Sequence, residues 1–120
     1  MAADARELLD RTGEVEIETR SRSGAKHRVI IWVVVVDGVV YVASVRGKRG
    51  RWWREAVADK RATLIAARRR LDVRAHRVRS EATKRAVSRA YAKKYPRSGA
   101  SLAAMQRRDA LDTTLRLELA

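Results

Sequence analysis

The stretch His27 to Arg46, HRVIIWVVVVDGVVYVASVR, constrains this chain more than any other. Val29 to Val36 is an unbroken apolar run with seven β-branched residues, the eighth residue being Trp32. Such side chains are stiff at χ1 and suit a pleated surface. Asp37-Gly38 follows, a dipeptide that supplies the positive φ angles of a type I′ hairpin turn. Val39 to Val45 is then the return strand. A strand that is apolar on both faces needs cover on both. The hairpin therefore predicts the centre of a barrel or covered sheet, rather than a buried helix.

The flanking segments agree with that reading. Asp4 to Arg11 has Ala5, Leu8 and Leu9 on one side and reads as a short helix, with Gly13 as its left-handed stop. Glu14 to Arg22 alternates: Val15, Ile17, Thr19 and Ser21 face one way, and Glu14, Glu16 and Glu18 face solvent. Ser23-Gly24 turns this strand back toward the hairpin. Trp52 to about Lys60 reads as a helix with Trp52 and Ala56 against the core, joined by Trp53 and Val57. Ala62 to Arg68 and Leu71 to Val78 are two more strands, with a glycine-free turn at Arg68 to Arg70. Ser80 is the N-cap of a helix whose apolar stripe is Ala82, Ala86, Val87, Ala90 and Tyr91, and which ends before Pro96. Arg97 to Ala110 reads as irregular, with a helical turn around Leu102 to Arg107. Leu111 to Leu119 alternates as a last strand. Six strands and about three helices, mainly β with α, favour an antiparallel barrel, which removes the exposed edges that a flat two-layer sheet would leave. Residues 1–120 read as one domain.

Charge is distributed unevenly. The formal net charge is +14, and the whole excess follows Val45. A basic half favours anionic partners, namely nucleic acid, phosphorylated cofactors or acidic lipid, against the alternative of a compositional bias toward Arg and Ala. The chain has no cysteine, which excludes disulfides and thiolate chemistry. With no cleavable signal, and with its longest apolar run cut by Asp37, it reads as a cytoplasmic protein that does not enter a membrane. His27 and His76 lack acidic or cysteine neighbours at ligand spacing, so no metal site is expected and both read as surface residues. No nucleophile elbow or catalytic carboxylate pair is evident.

The cationic loop RGKRGRWWR, Arg46 to Arg54, is the richest chemical feature. Gly47 and Gly50 let backbone N–H groups approach an anion, and the helix opening near Trp52 adds its positive end. Arg46, Lys48 and Arg51 can bind phosphate, and Trp52 or Trp53 can pack on a ring. Ser44 and Arg46 fall on the face of Val40 and Val42. Three readings stand: a phosphorylated aromatic cofactor, a nucleic-acid backbone with stacked bases, or a solvated loop over two core tryptophans. Trp32 and Tyr41 belong to the core, with a pocket wall as their alternative.

The segments IIWVVVVDGVVYVASVRGKRGRWWR and AYAKKYPRSGASLAAMQRRDALDTTLRL, with RSRSG at Arg20 to Gly24, resemble a bacterial family known as domain of unknown function 2255. The likeness spans nearly the whole chain. That family in turn resembles the split-barrel flavin-binding proteins, which include pyridoxamine-phosphate-oxidase-like enzymes and deazaflavin-dependent nitroreductases. In the nitroreductases a strand, a glycine loop and an aromatic pair open a helix at the cofactor, and Ser44 to Trp53 occupies that place here. Their Pro-x-Trp-Tyr element is Gly50-Arg51-Trp52-Trp53 in this chain. The resemblance implies a six-stranded split barrel that binds flavin mononucleotide (FMN) or a deazaflavin through Ser44, Arg46, Gly47, Lys48, Gly50, Arg51, Trp52 and Trp53. It also implies oxidoreductase chemistry and a homodimer. A basic nucleic-acid-binding module using Arg68 to Arg79, or a cofactor-free interaction domain, is the alternative.

Overall fold

A computed structural model describes residues 2–120. Helix α1 (Ala2–Arg11) leads into strands β1 (Glu14–Arg20), β2 (Lys26–Trp32), β3 (Val34–Val36) and β4 (Val39–Val42). A 3₁₀ turn at Gly47–Arg49 precedes α2 (Arg51–Asp59), β5 (Arg61–Ala66), β6 (Arg69–Arg77) and α3 (Glu81–Lys94). Two short helices, α4 (Gly99–Met105) and α5 (Arg108–Leu111), precede β7 (Leu115–Leu119). All seven strands pair antiparallel in the order β2-β1-β5-β6-β7-β4-β3.

The two ends of that order, β2 and β3, are consecutive in the chain and separated only by Val33. The long apolar run is thus one strand bent at Val33. Its first half pairs with β1 and its second half with β4, so the sheet curls into a half-barrel. This explains seven strands where six were expected. It also moves the hairpin from the centre of the sheet to the place where its edges meet. Asp37 and Gly38 have φ of 51° and 76°, as the turn chemistry required. Alternation holds along the sheet: Val15, Ile17, Leu64, Val73, Leu115 and Leu117 all face the core. Each such side chain contributes about 1.5–3 kcal/mol when fully buried.

Helix α2 packs Trp52, Trp53 and Ala56 against the sheet interior. On the other side, α3 and α4 bring Val87, Tyr91, Tyr95 and Met105 against Val34 and Ala43 as a second apolar cluster. The bend is tied down by two side chains from α3 and its C-cap. Tyr95 Oη accepts from Val33 N–H at 3.2 Å and lies 2.6 Å from Gly13 O and 3.1 Å from Val33 O. Lys94 Nζ donates to Leu9 O and Val33 O at 2.8 and 2.7 Å. Burial pushes Lys94 down to about 8.

Several expectations need correction. Gly13 is not left-handed; α1 ends with the Thr12 hydroxyl donating to Leu8 O at 2.6 Å. Ala82 is exposed, and the buried stripe of α3 is Lys84, Val87 and Tyr91. The segment from Arg97 to Ala110 is mostly helical, and Leu111 ends α5, so the last strand starts only at Leu115. Among the described residues, five α-helices therefore replace the expected three or so. The β5–β6 turn falls one residue early, at Ala67 and Arg68, whose φ values are 48° and 67°. Ala66 faces Arg69 in the ladder, and two non-glycine residues bear the left-handed geometry. Glu18, placed on a solvated face by its alternation, is only 7% exposed.

Candidate functional site

A cleft of about 810 Å³ opens along β2, within the range of small-molecule sites. β2 is paired on one side only, with β1, and its residues form one wall: His27, Val29, Ile31 and Trp32, with exposed Ile30 at the rim. Ala43 to Arg46 and the start of α2 form the opposite wall, and Ala104 and Met105 of α4 contribute a third. Trp32 belongs to both the cleft and the core. Its ring stacks on Tyr95 at 4.0 Å and 6° between planes, and Tyr91 lies tilted at 6.2 Å. The one Trp32 ring in the wall is thus backed by two tyrosine rings. Burial keeps the Tyr91 phenol protonated far above its usual range, and Tyr91 itself does not line the cleft.

Five of the eight expected residues converge here: Ser44, Arg46, Gly50, Arg51 and Trp52. β4 ends at Val42, so Ser44 and Arg46 project from the connection rather than from the strand itself. Ser44 is anchored through its backbone. Its N–H donates to Thr113 Oγ1 at 2.7 Å, and its carbonyl accepts from Gly47 N–H at 2.9 Å. Its hydroxyl is buried and has no hydrogen-bond partner among the described residues. A Cβ on Gly50 would collide with that hydroxyl, so the position needs glycine. Gly50 is also the N-cap of α2, where no side chain caps the first turn. An unpaired hydroxyl, an uncapped helix start and two arginines together form an anion-seeking corner.

Gly47, Lys48 and Trp53 do not line the cleft. Gly47, with φ of 66°, lies against the backbone of Asp109. Lys48 is exposed. Trp53 is buried, with Nε1 donating to Thr113 O at 2.8 Å and the Arg77 guanidinium 5.3 Å above its ring.

His27 was expected on the surface but is half-buried in the cleft wall. Its Nδ1 lies 3.1 Å from both carboxylate oxygens of Glu55, and the Thr19 hydroxyl donates to Glu55 Oε1 at 2.8 Å. Burial works to raise the Glu55 carboxyl, but Thr19, His27 and Arg51 outweigh it and hold it below the usual range. His76 likewise meets Glu118, at 2.9 Å, on the outer face. Each imidazole has a single carboxylate, and the described residues hold no cluster of three metal-binding side chains. One sequence signal could have placed His27: it shares the parity of Val29 and Ile31 along β2. Glu55 carried none, because its partner comes from a different element.

A second depression, of about 610 Å³, adjoins the cleft at Arg51 and gathers Arg20, Arg22 and Arg54. Outside both, Arg28 and Arg70 each reach Glu18 at 2.8 Å, which lowers the Glu18 carboxyl to about 2, chiefly through its bonds to Arg70 and Arg28. Part of the arginine excess is thus bound up in the sheet. Among the described residues no helix is long and apolar enough to cross a membrane.

A family model described as an uncharacterized protein conserved in bacteria (DUF2255) matches residues 7–117. No curated protein matches the chain. Among solved structures, the heme storage protein HutZ of Vibrio cholerae is 14% identical, with a TM-score of 0.67, over 98% of this chain and 89% of that one. A putative pyridoxamine 5′-phosphate oxidase from Listeria innocua is 10% identical, with a TM-score of 0.66, over 99% and 91%. A NimC/NimA family protein from Clostridium acetobutylicum is 15% identical, with a TM-score of 0.68, over 97% and 78%. The expected split-barrel relationship holds at the level of fold.

Proposed function

We propose that this chain, which belongs to the DUF2255 family of uncharacterized bacterial proteins, binds a phosphorylated flavin or deazaflavin in the cleft along β2. The observation that carries the reading is the buried, unpartnered hydroxyl of Ser44 beside the uncapped start of α2. An unsatisfied buried hydroxyl costs about 1–3 kcal/mol, and a ligand oxygen relieves that cost. A phosphate suits the corner: Ser44 Oγ and the first backbone N–H groups of α2 donate to it, and Arg46 and Arg51 supply charge. The aromatic face of Trp32 and the apolar side chains Val29, Ile31 and Met105 suit a flat ring system. A bound ring of this class supplies hydride-transfer chemistry, which is the oxidoreductase role we assign. The protein's part is to hold the phosphate, pack the ring and exclude water from one face of it.

Haem is the second reading. HutZ is a heme storage protein by its description, and the imidazole of His27 in the cleft wall is a group that can bind iron. Titration with FMN, a deazaflavin and haem, followed by absorbance, separates the two. The flavin reading expects saturable FMN or deazaflavin binding that Arg46→Ala weakens about ten- to a hundredfold, through loss of a charge-assisted contact. Lys48→Ala should change affinity little, since Lys48 is exposed and does not line the cleft. Failure of both flavins to bind would refute the reading, and saturable binding of haem alone would replace it.

A further inference from the structure

We propose that His27 is a ligand-contacting residue that accepts a ring N–H from the bound cofactor, with Glu55 and Thr19 positioning it. The inference rests on the flavin reading of the cleft and adds which edge of the ring the protein recognises. A carboxylate is an acceptor only, so the Glu55 oxygens at 3.1 Å require the proton of neutral His27 on Nδ1. Glu55 stays ionised, held below the usual range, and the Thr19 hydroxyl fixes its orientation. The second ring nitrogen, Nε2, is then a lone pair with no hydrogen-bond partner among the described residues. It belongs to a side chain that is 26% exposed in the cleft wall.

The polar groups at the α2 end of the cleft are mostly donors: Arg46, Arg51, the Trp52 indole and the helix N–H groups. They select phosphate and ring carbonyls. A neutral imidazole whose Nδ1 proton is held by Glu55 offers Nε2 to the opposite partner, an N–H. The imide N–H on the pyrimidine edge of a flavin or deazaflavin is such a group, flanked by two carbonyls. Haem has no peripheral N–H to offer.

The test compares FMN with FMN methylated at the imide nitrogen, with binding read by flavin fluorescence. The folded parent should prefer FMN about tenfold, the scale of one hydrogen bond together with the steric cost of the methyl group. His27→Phe, checked for fold by circular dichroism, should bind the two equally. Nitrogen-15 spectra of the ligand-free protein should show His27 protonated at Nδ1 and bare at Nε2. In Glu55→Ala, checked for fold in the same way, the acceptor that holds the Nδ1 proton is gone, so the fixed tautomer should be lost and the preference for FMN should weaken. Equal binding of both flavins by the parent, or a proton on Nε2 in the neutral parent, overturns the role of His27 and leaves the flavin reading standing. If neither FMN nor a deazaflavin binds the parent, the flavin reading fails and the inference with it; if only a deazaflavin binds, the same comparison is made with the deazaflavin and its imide-methylated form. A haem spectrum that loses an imidazole ligand in His27→Phe would assign Nε2 to iron instead.

Discussion

Tyr95→Phe should destabilise the fold without disturbing the stacked rings. The Tyr95 hydroxyl is the only partner that Val33 N–H has among the described residues, at 3.2 Å, and Val33 is fully buried. Removing the hydroxyl leaves that N–H unsatisfied, at about 1–3 kcal/mol. Gly13 O loses its 2.6 Å bond, but Gly13 is exposed and water replaces it. Val33 O keeps Lys94 Nζ at 2.7 Å. The sum is therefore about 2 kcal/mol, dominated by one backbone donor. Urea unfolding, followed by far-ultraviolet circular dichroism, has a slope of about 1–3 kcal/mol per molar for a domain of this size, so the midpoint should fall by about 1 M. Near-ultraviolet signal from Trp32 should persist, because the 4.0 Å stack involves the ring and not the hydroxyl. A midpoint within about 0.2 M of the parent, on the same scale of slopes, would refute the claim that this hydroxyl holds the bend.

Other consequences are equally direct. Glu18 has its carboxyl lowered from 4.5 to about 2 in the folded state, so the unfolded chain binds more protons in that window. The stability it contributes is fully present above pH 4.5 and is lost as pH falls toward about 2, and Glu18→Gln should flatten acid unfolding there; an unchanged acid profile would contradict the network with Arg28 and Arg70. Gly50→Ala should destabilise by about 1–3 kcal/mol through collision with Ser44 Oγ, and Ser44→Ala should rescue much of that. Strict additivity of the two in urea melts would disprove the contact. We propose that the exposed apolar side chains of Ile30 and Val45, 64% and 46% accessible at the cleft rim, are covered in a homodimer. A monomer mass by light scattering at micromolar protein and moderate salt would count against it. Nucleic-acid binding, the rival use of the basic surface, would weaken steeply with salt as counterions are released. Its arginines divide: Arg70 is committed to Glu18, and Arg77 covers Trp53. Absence of binding to DNA and RNA at low salt would remove that rival.

The sequence by itself determined the local elements. β-Branched content and Asp37-Gly38 specified the hairpin, Ser80 capped α3 as expected, with its hydroxyl accepting from Thr83 N–H at 3.2 Å, and period-two alternation assigned Val15, Ile17, Leu115 and Leu117 to the core. These properties are written in neighbours a few residues apart, so they survive without knowledge of the rest of the chain. Short helices were less legible: α4 and α5 are seven and four residues long, too short for a clear period. Only the tertiary structure decided where the long apolar strand breaks, because Val33 differs in nothing from the valines beside it; its bend follows from Tyr95 and Lys94 arriving from α3. Long-range pairing likewise buried Glu18 between Arg28 and Arg70, placed Glu55 behind His27, and turned Trp53 inward while Trp52 met the cleft. An alternating pattern says which side chains share a face. It does not say which distant charge that face will meet, and that meeting decides whether a polar residue is solvated, paired or left open to a ligand.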